Sequence, residues 1–240
     1  MNKKLKTGMI ASAILAVIAV GGITAYLYDS KTADNVFTVG KVTIFLTEEE
    51  YDSHEDERKG LYQNQILHKD PKITNTGIND AVAFLRVDVP QRNVYLADPS
   101  GGTTAPKLQE LFILADETAL YPNGTDQAPA VLSAHSVDDN WLLLKTEDKT
   151  SFVSYYYGYT KLLSKDESTE TLFDYVRYKA VVEGQLSAND NLDMGVTAYA
   201  IQADSIQEAG TANTITLTEP LAQTTLTTIF DVFMESPPEK

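Results

Sequence analysis

Alternating apolar and polar positions predict that most of this chain forms β-strands. In residues 80–89, the apolar side chains share one face, whereas Arg86 and Asp88 point the other way; the apolar set is Ala81, Ala83, Leu85, Val87 and Val89. This period of two is typical of an antiparallel strand with one buried face. Similar patterns predict strands at residues 65–74, 141–145, 151–159, 172–182 and 192–203. They indicate an all-β chain, which we expect to be a jelly-roll-type β-sandwich of about 7–9 antiparallel strands.

Two stretches depart from the strand pattern. Residues 90–140 hold five of the nine prolines around one short apolar piece, and they predict a long insertion that carries a small helix or strand. Residues 219–233 place four side chains on a helical stripe, with Pro220 suited to the first turn. The stripe consists of Leu221, Thr225, Ile229 and Phe233, so we expect the chain to end in a short helix.

The first residues have the composition of an export signal. Three lysines precede an uncharged apolar run from Met9 to Val20, and Gly21 and Gly22 follow it. Small residues then offer a signal peptidase an accessible site, which predicts cleavage between Ala25 and Tyr26. A retained membrane anchor is the alternative, because the segment from Met9 to Leu27 is about long enough to cross a bilayer.

A strand with one phase slip is predicted soon after that site. Apolar residues fall on odd positions at Phe37 and Val39 but on even positions at Val42, Ile44 and Leu46. The glycine at the slip, Gly40, predicts a β-bulge. We therefore divide the chain into a signal peptide (residues 1–25), a flexible polar arm (26–35) and a β-sandwich domain (36–240).

The stretch GGITAYLYDSKTADNVFTVGKVTIFL (residues 21–46) resembles the junction of exported proteins that the SipW-type signal peptidase cuts. Residues 68–77, 80–87 and 196–204 also resemble pilin-like members of this group in Firmicutes, in the same order along the chain. The group includes TasA-like biofilm fibre subunits and camelysin-like proteins. The resemblance implies a secreted or surface protein of a Gram-positive bacterium, with a SipW-type peptidase as a partner and membrane contact only through the uncleaved signal.

Fibre-forming relatives imply a mechanism for the strand after the cleavage site. An alternating strand on a flexible arm can add to the sheet edge of a neighbouring copy, and head-to-tail addition makes filaments. The predicted donor strand comprises Val36, Phe37, Val39, Val42, Ile44 and Leu46. The competing interpretation is that this strand pairs within its own domain.

Composition excludes some partners and some kinds of site. The chain has 240 residues, no cysteine and a formal charge of -15. Removing the signal would leave 16 basic against 34 acidic residues, a charge of -18. Such an acidic domain repels phosphate backbones, so we expect no nucleic-acid partner. The absence of cysteine excludes disulfides, thiolate metal sites and a cysteine nucleophile.

An acidic segment, Glu48–Glu57, is the first candidate for ligand chemistry. Seven of its ten residues are acidic, which predicts a solvated loop. A divalent-cation site is the alternative, but the Asp-x-Asp-x-Asp-Gly spacing is missing. His54 and Glu55 begin an H-E-x-x-H motif, yet Arg58 occupies the second histidine position and cannot bind zinc.

We predict no catalytic residue, no bound metal and no cofactor. The histidines, His54, His68 and His135, show no ligand spacing, although camelysin-like relatives have been classed as metallopeptidases. A monomeric adhesin that uses residues 90–140 and a tyrosine strand is the main alternative to a fibre subunit. Those tyrosines, Tyr155, Tyr156, Tyr157 and Tyr159, are expected to pack in the sheet rather than form an adhesive platform.

Overall fold

The computed structural model describes residues 28–30, 42–98, 101–186, 190, 192–208 and 212–235. The strands are β1 (Tyr28–Ser30), β2 (Ile44–Thr47), β3 (Ile66–His68), β4 (Lys72–Asn75), β5 (Ala81–Val94), β6 (Lys107–Glu110), β7 (Phe112–Ala115), β8 (Trp141–Asp148), β9 (Phe152–Tyr159), β10 (Tyr175–Tyr178) and β11 (Gly195–Gln202). The α-helices are α1 (Glu49–Ser53), α2 (Glu117–Leu120) and α3 (Gln223–Glu235). Every pairing of these strands is antiparallel, so the predicted antiparallel β architecture is confirmed.

The long strand β5 organises the largest sheet. The strand order is β1-β11-β5-β9-β8, and β6 pairs with the last residues of β5. Leu85 stands at the centre, with Ala198 of β11 on one side and Tyr157 of β9 on the other. The predicted strands at 141–145 and 151–159 form a hairpin, because β8 and β9 pair directly across a short turn.

Two smaller sheets complete the main core. One has the order β3-β10-β7, and the other consists of β2 and β4. Side chains from all three sheets form one buried cluster, in which Leu85 of the large sheet joins Ile73 of β4, Leu114 of β7 and Val176 of β10. Apolar burial of this extent supplies the main favourable free energy of folding.

A second core lies on the opposite face of the large sheet, under α3. Leu226, Ile229 and Phe230 of the helix are buried against Val82 and Phe84 of β5. The predicted terminal helix is therefore confirmed. Two details of it were wrong: Pro220 precedes the first helical residue by three positions, and Thr225 of the predicted stripe is only partly buried.

One glycine allows the close approach of this helix. A Cβ atom on Gly158 of β9 would lie 3.0 Å from Leu144 Cδ1 and 3.3 Å from Leu226 Cδ1. Those distances are tighter than ordinary van der Waals contacts, so a larger residue would push against α3. The glycine thus sets how closely the helix lies on the sheet.

The prediction of one buried face on β5 is wrong for its first half. The predicted inward face is fully buried, but Val82 and Phe84 on the other face are buried as well. Helix α3 covers them, because it folds back onto this end of the sheet. Arg86 and Asp88, farther along, stay partly exposed and pair with each other at 2.7 Å.

Residues 90–140 contribute more to the core than a long insertion would. Strand β5 does not end before Pro90 but continues to Val94. Pro90 is the last residue paired with β9, and its carbonyl accepts the Leu111 N–H at 2.9 Å. The apolar piece becomes β7, which pairs with β10 and is wholly buried. A proline is tolerated here because the pairing partner of β5 changes at this position.

Candidate functional site

The residues of the predicted export and assembly site are only partly described. Ala25 and Tyr26 of the cleavage site, and Val36, Phe37 and Val39 of the donor strand, lie outside the described residues, as does the predicted bulge at Gly40. The rest of the predicted donor strand, Val42, Ile44 and Leu46, is placed within its own chain. Val42 and Ile44 are buried in the main core, and Leu46 is partly buried against it.

Strand β2 holds Ile44 and Leu46 through backbone pairing. Ile44 lies opposite Asn75 and Leu46 opposite Ile73 of β4. Phe45, on the other face of β2, is half-exposed. In a single copy, this part of the donor strand therefore completes a two-stranded sheet of the same chain.

The edge of the large sheet carries a second N-terminal strand. Residues 28–30 form β1, which pairs antiparallel with Tyr199–Ile201 of β11. This pairing covers three of the eight residues of β11. Among the described residues no other strand pairs with β11 on that side. Backbone amides and carbonyls at the edge of a sheet can pair with a strand from another copy.

The acidic segment is largely exposed to solvent, as its composition predicts, but it is not a loop. Glu49–Ser53 form α1, and Glu55–Arg58 form one 3₁₀ turn. Asp70, just beyond β3, caps α1 by accepting the N–H groups of Glu50 and Tyr51 at 3.0 and 3.1 Å. A carboxylate at this position satisfies helix amides that have no partner within the helix.

A buried ion pair fastens the same segment to the sheet. Lys69 Nζ lies 2.7 Å from Glu48 Oε1 and 4.1 Å from the centre of the Tyr51 ring. The side chain of Lys69 is only 5% exposed. Tertiary contacts therefore hold this acidic segment in a defined structure despite its charge repulsion.

This arrangement brings together two histidines that are far apart in sequence. The rings of His54 and His68 stack with centres 3.9 Å apart and planes inclined by 17°. Ligand atoms of Glu50, His54 and His68 all lie within 4.8 Å of one another. Their spacing in the sequence gives no sign of this pair, which meets because β3 carries His68 to the turn that follows α1.

A further carboxylate orients His68. Glu57 accepts the His68 backbone N–H at 3.0 Å through Oε2, and its Oε1 lies 3.0 Å from His68 Nδ1. Burial would raise the pKa of Glu57, but these hydrogen bonds and the nearby histidine charges lower its pKa below the ordinary value of 4.5. Glu57 therefore remains an anionic acceptor for the His68 ring.

Sequence reasoning missed this cluster because its residues come from separate elements. Glu50 and His54 are one helical turn apart, a spacing that places two side chains on one face. That spacing would have been visible only if α1 had been predicted. His68 has no sequence relation to them, and only the packing of α1 against β3 reveals it.

The third histidine belongs to a different polar cluster. His135 Nδ1 accepts the Leu114 N–H at 3.0 Å, so its Nε2 carries the proton and donates to Glu110 at 3.2 Å. The Tyr155 hydroxyl donates to the same Glu110 carboxylate at 2.7 Å. Burial would raise the pKa of Glu110, but the hydrogen bonds from His135 and Tyr155 lower it below 4.5.

Glu110→Gln should lower the free energy of unfolding by about 1.5–3 kcal/mol near neutral pH, because both donors lose a charged acceptor. The pKa of Glu110 is lower in the folded state than in the unfolded state. Its carboxylate therefore stabilises the fold fully at pH values above 4.5, and this stabilisation is lost as the pH falls through the pKa of the folded state. The difference in the free energy of unfolding between wild type and variant (the stability gap) should therefore become smaller in acid. Urea unfolding at about pH 7 and about pH 3 measures both gaps.

Glu117→Gln is the matched control, because Glu117 is an exposed carboxylate on α2. We expect its stability gap to stay within about 0.5 kcal/mol at either pH. An equal gap for Glu110→Gln at both pH values would contradict the assigned role of the carboxylate.

The tyrosine strand packs as predicted. Tyr156, Tyr157 and Tyr159 are buried, and Tyr155 is partly buried. Burial raises the pKa of all four hydroxyls, to about 12 for Tyr156. The Tyr156 hydroxyl donates to Glu147 and that of Tyr159 to Glu170. Rings held in this way belong to the sheet, so the strand does not present the adhesive platform considered as the alternative.

The described helices include none with both the length and the apolar character that a bilayer crossing requires. Comparisons of the chain with protein-family models, curated proteins and solved structures found no match. The candidate sites therefore rest on the chain's own residues and on the sequence resemblance described above.

Proposed function

We propose that this chain is an exported, non-catalytic subunit of an extracellular fibre, assembled by exchange of its N-terminal strand. The observation that carries the proposal is the partly covered edge of β11, where the residues just after the predicted cleavage site form the short strand β1. The resemblance of residues 21–46 to SipW-type junctions supports export and cleavage between Ala25 and Tyr26. The domain would be a jelly-roll-type sandwich at the surface of a Gram-positive bacterium.

Strand exchange needs no new kind of contact. In one copy, β1 pairs with β11 and β2 pairs with β4. In a filament, the N-terminal segment of a neighbouring copy would make the same backbone hydrogen bonds and fill the same apolar positions. Because the donor and acceptor surfaces differ, each addition leaves a new acceptor, and the chain of subunits does not close.

Cleavage would start this assembly. While the signal segment remains in the membrane, the donor strand is tethered and cannot reach a neighbour. A SipW-type peptidase would release the amino terminus at Tyr26 and free the polar arm, residues 26–35, whose residues 28–30 form β1, to reach a neighbouring copy. Self-association and the peptidase are thus the partners of the proposed mechanism.

The test begins with the secreted protein. Mass spectrometry should find Tyr26 at the amino terminus, and electron microscopy of the concentrated protein should show filaments. Phe37→Asp together with Val39→Asp should abolish filaments, because a carboxylate in an apolar strand pocket has no partner there. Thr38→Asp is the matched control, since position 38 has the opposite phase and should leave filaments intact.

Truncation gives a second, independent outcome. A chain that begins at Lys41 lacks the arm and half of the donor strand, so it should remain monomeric. Filaments from that chain would contradict strand exchange. Monodisperse particles from the cleaved wild-type protein would favour the monomeric adhesin instead.

A further inference from the structure

We propose that Glu50, His54 and His68 form a binding site for a divalent transition-metal ion of the Zn²⁺ class. Their ligand atoms lie within 4.8 Å of one another. Zinc binds imidazole nitrogen at about 2.0–2.1 Å, so two ligands on one ion stand about 3–4 Å apart. Glu50 is exposed and both histidines are partly buried. The two rings stack with planes inclined by 17°, so their in-plane lone pairs do not converge as placed, and the side chains of Glu50 and His54 must rotate to bring the three groups onto one ion.

The hydrogen bonds of the two histidines prepare the same nitrogen on each ring. His68 Nδ1 lies 3.0 Å from the Glu57 carboxylate, and His54 Nδ1 lies 2.8 Å from the Glu50 carbonyl oxygen. These oxygens can only accept, so both Nδ1 atoms carry protons and both Nε2 atoms offer a lone pair. A histidine that donates one N–H to a carboxylate or carbonyl and ligates through the other nitrogen is the usual metal-site arrangement.

The supporting contacts hold the ligands on a defined framework. Asp70 caps α1 at Glu50 and Tyr51, which fixes the helix that ends at His54. Glu57 accepts both the backbone and the ring N–H of His68, which fixes the ring at the end of β3. Tyr175 of β10 forms one wall of the site, with its ring centre 5.0 Å from that of His68.

The donor set selects the class of metal. Two imidazoles and one carboxylate suit zinc and its neighbours among the transition metals, whereas calcium and magnesium prefer oxygen ligands alone. The acidic segment around the site, with seven carboxylates in ten residues, attracts cations to it. Three protein ligands leave a fourth position for water.

The expected consequence is structural. The ligands come from α1 and its following turn on one side and from β3 on the other. One ion would therefore tie the acidic segment to the sheet and stabilise the folded state, because the unfolded chain does not hold the three ligands together. This inference is independent of filament assembly and can fail without affecting that proposal.

Titration of the purified full-length protein in mild detergent tests the site. We expect Zn²⁺ to bind at one site and to raise the melting temperature, whereas Mg²⁺ at the same concentration should not. Co²⁺ should bind in its place and give the visible absorption of a site with nitrogen ligands. His54→Ala and His68→Ala should each lower the Zn²⁺ affinity at least ten-fold.

Matched variants separate ligation from general charge attraction. Glu50→Gln should weaken Zn²⁺ binding at least ten-fold, and Glu57→Gln should weaken it about ten-fold or more by removing the support of His68. Glu55→Gln removes the same charge from an exposed neighbour, so it should bind Zn²⁺ like wild type. Circular dichroism in the presence of chelator checks that each variant is folded. Equal binding of Zn²⁺ and Mg²⁺, or unchanged Zn²⁺ affinity in the His54→Ala, His68→Ala double variant, would overturn the proposal.

Discussion

Phe230→Ala should lower the free energy of unfolding by about 3–5 kcal/mol, a large fraction of the stability of a typical domain. Phe230 of α3 is 1% exposed, and its ring packs on Phe84 and Tyr156 with centres 5.8 and 5.2 Å away. Removing the ring leaves a cavity between helix and sheet, and the loss of aromatic contacts adds to the cost. Chemical denaturation followed by circular dichroism measures the change.

Met234→Ala is the control on the same helix. Met234 is 39% exposed, so its truncation should change the free energy of unfolding by at most about 0.5 kcal/mol. If both variants lost little stability, α3 would not pack on the large sheet. A large loss for Phe230→Ala alone would confirm the second core.

Lys69→Met should cost about 3–5 kcal/mol of unfolding free energy, because it leaves the largely buried carboxylate of Glu48 without its cation. Lys69 Nζ lies 2.7 Å from Glu48 Oε1. The Lys69 side chain is 5% exposed and the Glu48 side chain is 18% exposed. Methionine keeps much of the apolar stem, so the loss reports on the charge rather than on packing volume. Urea unfolding at neutral pH gives the difference.

A neighbouring pair provides the comparison. Lys72 lies 3.2 Å from Glu49, but the side chains are 27% and 68% exposed. Lys72→Met should therefore cost only about 0–1 kcal/mol. Combining Lys69→Met with Glu48→Gln should recover part of the loss, since no unpaired charge then remains. Equal losses for Lys69→Met and Lys72→Met would contradict the importance of burial.

The main strands could be predicted because their signal is local. The inward face of β5, from Ala81 to Val89, follows directly from the alternation of residue types. The hairpin of β8 and β9 follows from two such runs with a short polar connection. These elements depend on neighbouring residues, so the order of residue types is sufficient.

The second face of β5 could not be predicted in this way. The alternation pattern predicts that Val82 and Phe84 point outward. In the structure they are covered by α3, which lies about 140 positions later in the sequence. Pairing that distant in sequence is set by the whole fold and leaves no local pattern. The division of residues 65–74 into β3 and β4, in different sheets, has the same origin.

The candidate metal cluster shows the same limit. Repulsion among seven acids predicts a solvated loop. The segment is exposed to solvent, but it forms a helix because Asp70 and Lys69 supply a helix cap and a counter-charge. With α1 formed, Glu50 and His54 share a face, and β3 brings His68 to them. None of these contacts is visible in a motif of fixed spacing.

By itself the sequence determined the antiparallel β character, the terminal helix, the packing of the tyrosines, and the resemblance that underlies the fibre proposal. Only the tertiary structure decided which part of β5 is buried on both faces, which contacts hold the acidic segment, and which histidines come into contact. The reason is physical: periodicity and composition act over a few residues, whereas burial, ion pairing and ligand geometry depend on elements that are distant in the chain and adjacent in space.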